Sequence, residues 1–265
     1  MEKTLYYFFA VIFLFINTDV FSSEFIDIAT CIEDRTQQYG LNGYERAIVL
    51  SPYRTGSTFA FNILRFLFES EEMKYNLCWD KEIPQRKVYK RHYFEAEKAE
   101  NIIVYTVRNP LDACFSAYRV SLGIDKTKQN LDDNIRDLVT HQMSLWYEFE
   151  PILSSPYIFL LLRYEDFVNN IDHVFEKLES FFCIVIAEQD KALLREALSK
   201  ENVAENVKEF KEFDQTDPYS LLHGYHIELG GMSNGERRRV NRAILRELTK
   251  HKRIIEKWGY AHILE

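Results

Sequence analysis

The chain has 265 residues, 46% hydrophobic and 28% charged, enough for one domain with a sizeable core. Its 9 Gly, 6 Pro and 4 Cys exclude a collagen-like chain, low-complexity disorder and a disulfide-dense mini-protein. With 33 Lys and Arg against 41 Asp and Glu, the net charge is −8, which argues against a general nucleic-acid binder but permits one basic pocket for a small anionic ligand.

Lys3 precedes an unbroken apolar run from Leu5 to Ile16. That run is shorter than the ~20 residues of a membrane span and fits the ~7–15 of a signal-peptide core. Val20 and Ser22 suit the −3 and −1 positions of a cleavage site. Lys3 before the run and Asp19, Glu24 and Asp27 after it favour a cytosolic N-terminus. Residues 1–23 are therefore expected to be a signal peptide or short membrane anchor, the alternative being a buried strand or helix. That places the protein in the secretory pathway, such as a Golgi lumen, or at a membrane if the segment is used, and in the cytoplasm otherwise. Residues 24–265 carry no repeat or Pro/Ser-rich linker and are expected to form one domain.

Strands are expected at Ala47–Leu50, Ile102–Val107 and Tyr157–Leu162, short apolar runs without polar alternation, as in a parallel sheet buried on both faces. Helices are expected from Ser57 to Glu69, from Leu111 to about Val120, and after Asn170, where Val174, Leu178, Phe181 and Phe182 share a face. A last helix runs from about Glu236 to Trp258, with Val240, Ile244, Leu248, Ile255 and Trp258 at helical spacing. Alternating strands and helices predict an α/β domain with right-handed crossovers. The four cysteines, Cys31, Cys78, Cys114 and Cys183, show no metal spacing. Two disulfides are possible in an exported chain, but the apolar neighbours of Cys114 and Cys183 favour buried free thiols. His223 and His226 are read as structural, and no metal site is expected.

Two segments carry the chemistry. Ser51-Pro52-Tyr53-Arg54-Thr55-Gly56-Ser57-Thr58-Phe59 follows a buried strand and opens a helix, so backbone N–H groups and a helix N-terminus can converge on a phosphate or sulfate. Arg54 adds a fork of charged donors. The segment is not a Walker A loop, because no Lys precedes the hydroxyl pair. Taken alone it also fits a simple helix cap. Arg108 stands at the end of the second strand, where open α/β sheets bind ligands, and Ser116 lies about two helical turns further on. Arg108-Asn109-Pro110 also reads as an ordinary helix start.

Together these segments resemble the sulfotransferase family, enzymes that use 3′-phosphoadenosine 5′-phosphosulfate. Arg54-Thr55-Gly56-Ser57-Thr58-Phe59 resembles the family's 5′-phosphosulfate loop, and Arg in place of the Lys of cytosolic members resembles the carbohydrate-modifying, membrane-associated branch. Ile103 to Tyr118 is similar to the 3′-phosphate segment, with Arg108 and Ser116 at the family's spacing. Leu162-Arg163-Tyr164-Glu165-Asp166-Phe167 and Glu256-Lys257-Trp258-Gly259-Tyr260 resemble later family segments. The resemblance implies a P-loop-like three-layer α/β domain with a central parallel sheet flanked by helices. It also implies a cofactor site for the phosphosulfate donor made by Arg54, Thr55, Gly56, Ser57, Thr58, Phe59, Arg108, Ser116 and Tyr164, with Phe59 and Tyr164 near adenine or else packed in the core.

Lys87-Val88-Tyr89-Lys90-Arg91-His92-Tyr93 is similar to the family strand whose His is the catalytic base, which makes His92 the base and Lys90 the charge stabiliser beside Arg54. Imidazole titrates near neutrality and suits an acceptor that must lose a proton, while cations offset charge on the leaving phosphate. Read without the resemblance, Lys87 to His92 is an exposed basic strand. The family's late Arg-Lys-Gly clamp is missing; His226 to Met232 and Gly235-Glu236-Arg237-Arg238-Arg239 stand near its place. The implied reaction is transfer of a sulfuryl group to a hydroxyl or amine of a carbohydrate or small molecule, without metal or nucleic acid. The alternatives are a kinase with a divergent P-loop and a nucleotide-binding module without turnover.

Overall fold

The apolar runs are strands of a parallel sheet. In the computed structural model the described residues are 38–69 except 42, 87–94, 101–124, 131–154, 159–208, 217, 220–222 and 232–265. Strands β1 (Arg46–Leu50), β2 (Val88–Arg91), β3 (Asn101–Val107) and β4 (Phe159–Arg163) pair in the order β2-β1-β3-β4, all parallel. Side chains alternate between two packed layers, which is why no strand shows polar alternation. Ala47 and Val49 of β1 and Ile102 and Val104 of β3 enter one apolar cluster. Ile48, Leu50, Ile103, Tyr105 and Val107 enter the other.

The first layer is built on α1 (Ser57–Phe68) and on α5 (Ile171–Phe182), which follows the short α4 (Tyr164–Phe167). Leu194 and Ala197 of α6 (Glu188–Ala197) complete it, beside the short α7 (Lys200–Asn206). The second layer is built on α2 (Pro110–Ile124), α3 (Leu131–Glu148), α8 (Asn234–Leu248) and α9 (Lys252–Lys257). The expected α/β architecture, a central parallel sheet flanked by helices, is what the chain adopts.

Helices α3, α6 and α7 were not among the expected ones, and three further features depart from expectation. The last helix is not continuous: a 3-10 turn at Thr249–His251 separates α8 from α9, and Ile254, Ile255 and Trp258 still reach the second layer. Among the described residues β4 is an edge strand, with Leu160 and Leu162 buried and Phe159 and Leu161 only half-buried. Cys183 is exposed rather than buried, because α5 ends there in a left-handed residue (φ 54°); Cys114 is buried, and both thiols are free. Residues 1–37, with the apolar run and Cys31, lie outside the described residues, as do Cys78, His223 and His226. Among the described residues no helix is long and apolar enough to cross a membrane.

The order of strands fixes the site. From β1 the chain goes to one side for β2 and to the other for β3 and β4, so the connections diverge beside β1. At such a switch point the loops leaving the strand ends part and open a crevice. The loop Ser51–Gly56 leaves β1 there, His92 follows β2 and Arg108 follows β3. Register brings them level, since Leu50 pairs with Arg91 and with Tyr105.

Candidate active site

The loop after β1 is shaped by residues that cannot be exchanged freely. Gly56 has φ 84°, and a Cβ on it would lie 2.8 Å from ring carbons of both Phe167 and Tyr164. Glycine is needed there for conformation and for space. Arg54, with a side chain, also adopts a left-handed φ of 65°. Such a backbone costs on the order of 1–3 kcal/mol and persists only where its surroundings enforce it. Part of that enforcement is Thr55, fully buried, whose hydroxyl donates to the Pro52 carbonyl at 3.0 Å and meets Thr106 Oγ1 at 2.8 Å. That hydroxyl is spent inside the loop, leaving the backbone N–H as the part of Thr55 suited to a ligand. Ser57 and Thr58, both buried, open α1, and Gly56 caps it with no side-chain hydrogen bond. A helix N-terminus of this kind offers amides and a partial positive charge to an anion.

The second segment meets the first. Arg54 Nε donates to Ser116 Oγ at 3.1 Å across 62 positions of sequence. Arg108 reaches the Arg54 carbonyl at 3.4 Å and lies over the Tyr164 ring at 4.2 Å. Its Nε is buried with no hydrogen-bond partner among the described residues. A buried charged donor without an acceptor costs free energy, so it marks a place for a ligand oxygen. Burial, then Arg108, and also Arg119, lower the Arg54 pKa to about 10, against a smaller raising effect of Tyr164. Arg119 is one turn beyond Ser116 and was not among the expected site residues; an i, i+3 step from Ser116 along an amphipathic helix is the signal that points to it.

The third piece comes from β2. Lys90 Nζ donates to Thr58 Oγ1 at 2.7 Å, beside the start of α1. Burial and then Arg54 push its pKa down to about 7. His92 Nδ1 lies 2.9 Å from the Ser51 carbonyl and 3.3 Å from Ser51 Oγ. A carbonyl only accepts, so Nδ1 carries the proton and Nε2 keeps its lone pair. Burial, then the Lys90 cation, hold the His92 pKa down at about 3, opposed by the bond to Ser51. The ring is neutral at ordinary pH, with Nδ1 as its donor.

Phe59 is half-buried and stacks on Phe167 at 5.4 Å, so one face is already covered. Tyr164 packs edge-on against Phe167 while its ring takes the Arg108 guanidinium. Glu165 accepts from the Asn109 N–H at 2.6 Å and from the Tyr260 hydroxyl at 3.0 Å, tying the chain end to the turn after Arg108. Near the absent clamp, α8 starts at a capping box of Ser233 and Glu236, and Arg237 lies over the Phe115 ring at 5.2 Å. One exposed arginine of the late run thus sits beside the segment that carries Ser116.

Residues 95–218 match the family model of the sulfotransferase domain. Over those residues the chain is similar to a sulfotransferase domain. The match includes Arg108, Ser116 and Tyr164, and begins after Arg54 and His92. Two solved structures are similar at low identity. One is mouse sulfotransferase SULT7A1 complexed with PAP, at 14% identity over 87% of this chain and 95% of that one, with a TM-score of 0.48. The other is retinol dehydratase in complex with androsterone and inactive cofactor PAP, at 14% identity over 81% of this chain and 84% of that one, with a TM-score of 0.47. No curated protein matches the sequence.

Proposed function

We propose that this sulfotransferase-domain protein moves a sulfuryl group from 3′-phosphoadenosine 5′-phosphosulfate to a hydroxyl or amine of a carbohydrate or other small acceptor. The observation that carries the reading is the meeting of Arg54 with Ser116, which merges two anion-binding segments, with Arg108 and its unpartnered Nε, into one cationic crevice. The 5′-phosphosulfate belongs to Arg54, the α1 amides and Lys90. The 3′-phosphate belongs to Arg108 and Ser116, and the adenine lies towards Phe59 and Tyr164.

The acceptor oxygen or nitrogen attacks sulfur in line, forming the new bond as the bridging oxygen–sulfur bond breaks. The acceptor proton passes to His92 Nε2, and the electron pair leaves with the phosphate of adenosine 3′,5′-bisphosphate. Lys90 and Arg54 offset the charge that gathers on that leaving oxygen. The doubly charged phosphosulfate of the donor also counters the field of Lys90, so its arrival raises the basicity of His92 when a base is needed. Residues 1–23 act as the signal peptide or short anchor that brings residues 24–265 to the secretory pathway or a membrane.

The test is release of adenosine 3′,5′-bisphosphate from labelled donor in the presence of carbohydrate, phenol and amine acceptors. Acceptor-dependent release with label on the acceptor is the expected result. Tight nucleotide binding without transfer to any of them would favour a binding module instead.

A further inference from the structure

The base is held by the anion loop itself. Tyr53, between the Ser51 carbonyl that fixes the His92 tautomer and Arg54 that faces the anion, lays its ring against the imidazole with centroids 4.4 Å apart and planes at 34°. On its other neighbour side the Tyr53 ring stacks with His141 of α3 at 5.6 Å and 26°. The next residue, buried Gln142, donates Nε2 to the Tyr53 carbonyl. Tyr53 is nevertheless 39% exposed, so core burial alone does not account for where it stands.

The second torsion of a histidine is broad and settles into no single well by itself. Two contacts restrain it here: the Ser51 carbonyl bonds Nδ1, and Tyr53 covers a ring face. Without the second, the ring can turn, weakening the Nδ1 bond and re-aiming Nε2. Among the charged groups Lys90 acts on His92 most strongly, and its bond to Thr58 does not involve Tyr53.

We propose that Tyr53 is a positioning residue for the His92 base, itself backed by His141 and Gln142 of α3. Through it the loop that grips the donor also aims the group that takes the acceptor proton. The proposal rests on the reading of His92 as the base, and its test separates the two.

Tyr53→Ala and Tyr53→Phe are compared with wild type by acceptor-saturated turnover, by calorimetry with adenosine 3′,5′-bisphosphate, and by ¹⁵N NMR of the His92 ring, assigned with His92→Gln. The expected result for Tyr53→Ala is a kcat reduced roughly 10–100-fold, since small misplacements of a reacting group have effects of this order. Nucleotide affinity stays within about twofold, and the ring nitrogens move from one neutral tautomer towards a mixture. Tyr53→Phe, which keeps the ring, restores most of the turnover and the single tautomer.

Unchanged turnover and an unchanged His92 spectrum in Tyr53→Ala would overturn the proposal. So would a parallel loss of nucleotide affinity and kcat, which would make Tyr53 a support of the anion loop only. If Tyr53→Ala fails to fold, Tyr53→Leu is read by the same spectrum and turnover. His92→Gln turning over like wild type would remove the base reading, while the spectrum still reports whether Tyr53 holds the ring.

Discussion

The anion side and the base side of the site are built in opposite ways. Arg54, Arg108 and Ser116 form a fixed cationic cradle in which guanidinium groups crowd one another. Lys90 and His92 sit beside it with their proton affinities pushed down, Lys90 to about 7 and His92 to about 3. The first side holds charge in readiness for an anion. The second holds groups whose proton affinity a nearby anion would raise. Under the proposed function, grip and chemistry should be separable by mutation, although both groups of residues meet at the loop from Ser51 to Gly56.

The largest expected effect lies on the base side. His92→Ala lowers kcat by about 10²–10⁴-fold with nucleotide affinity nearly unchanged, the loss being greatest for acceptors of high pKa. Arg54→Ala instead harms affinity and turnover together, because its charge serves both the bound donor and the transition state. Steady-state kinetics alongside calorimetry check this contrast; equal damage to affinity from both variants would erase the division.

Within the anion side the expected order is Arg108 above Ser116. Arg108→Ala removes a charged contact of roughly 1.5–3 kcal/mol, about 10–150-fold in affinity for adenosine 3′,5′-bisphosphate. Ser116→Ala removes an uncharged donor to the same phosphate and should cost less, about tenfold at most. Equal and negligible losses would reduce the segment to a helix start.

The smallest effect is a proton. Lys90 is lowered to about 7 in the free protein, and a bound anion raises it, so nucleotide binding above pH 7 takes up a proton. Affinity should fall as pH rises through 7 to 9, by up to tenfold per unit, and Lys90→Met should flatten that slope. Calorimetry in buffers of different ionisation enthalpy measures the uptake. The same depression has a sign for stability. Between about 7 and the ordinary 10.5 the unfolded chain holds the Lys90 proton and the folded one does not, so the nucleotide-free protein gains stability from this group as pH rises.

The anion side is also the part that the sequence displays. Its residues lie in continuous segments, strand then loop then helix, and β1 and β3 stand out because burial on both faces makes the runs almost wholly apolar, with Thr106 the polar residue inside them. α3, which carries His141 and Gln142 against Tyr53, was not among the expected helices, although its Ile135, Val139, Met143 and Trp146 recur at helical spacing. The contact of Tyr53 with His92 and His141 joins three separate elements, and no spacing in one segment encodes it. Cys183 misleads for a related reason. Its neighbours Phe181 and Phe182 are apolar, but the helix ends in a left-handed turn that points the thiol outward.

The central claim, that Arg54, Ser116 and Arg108 form one site for a 3′,5′-bisphosphorylated adenosine, is tested most directly by thermal unfolding with two ligands. Binding to the native state alone stabilises it by RT ln(1 + L/Kd), with L the free ligand concentration, and so raises the melting temperature. Adenosine 3′,5′-bisphosphate is predicted to raise Tm clearly, and ATP with Mg²⁺ to change it little. A larger shift with ATP and Mg²⁺ would contradict the account.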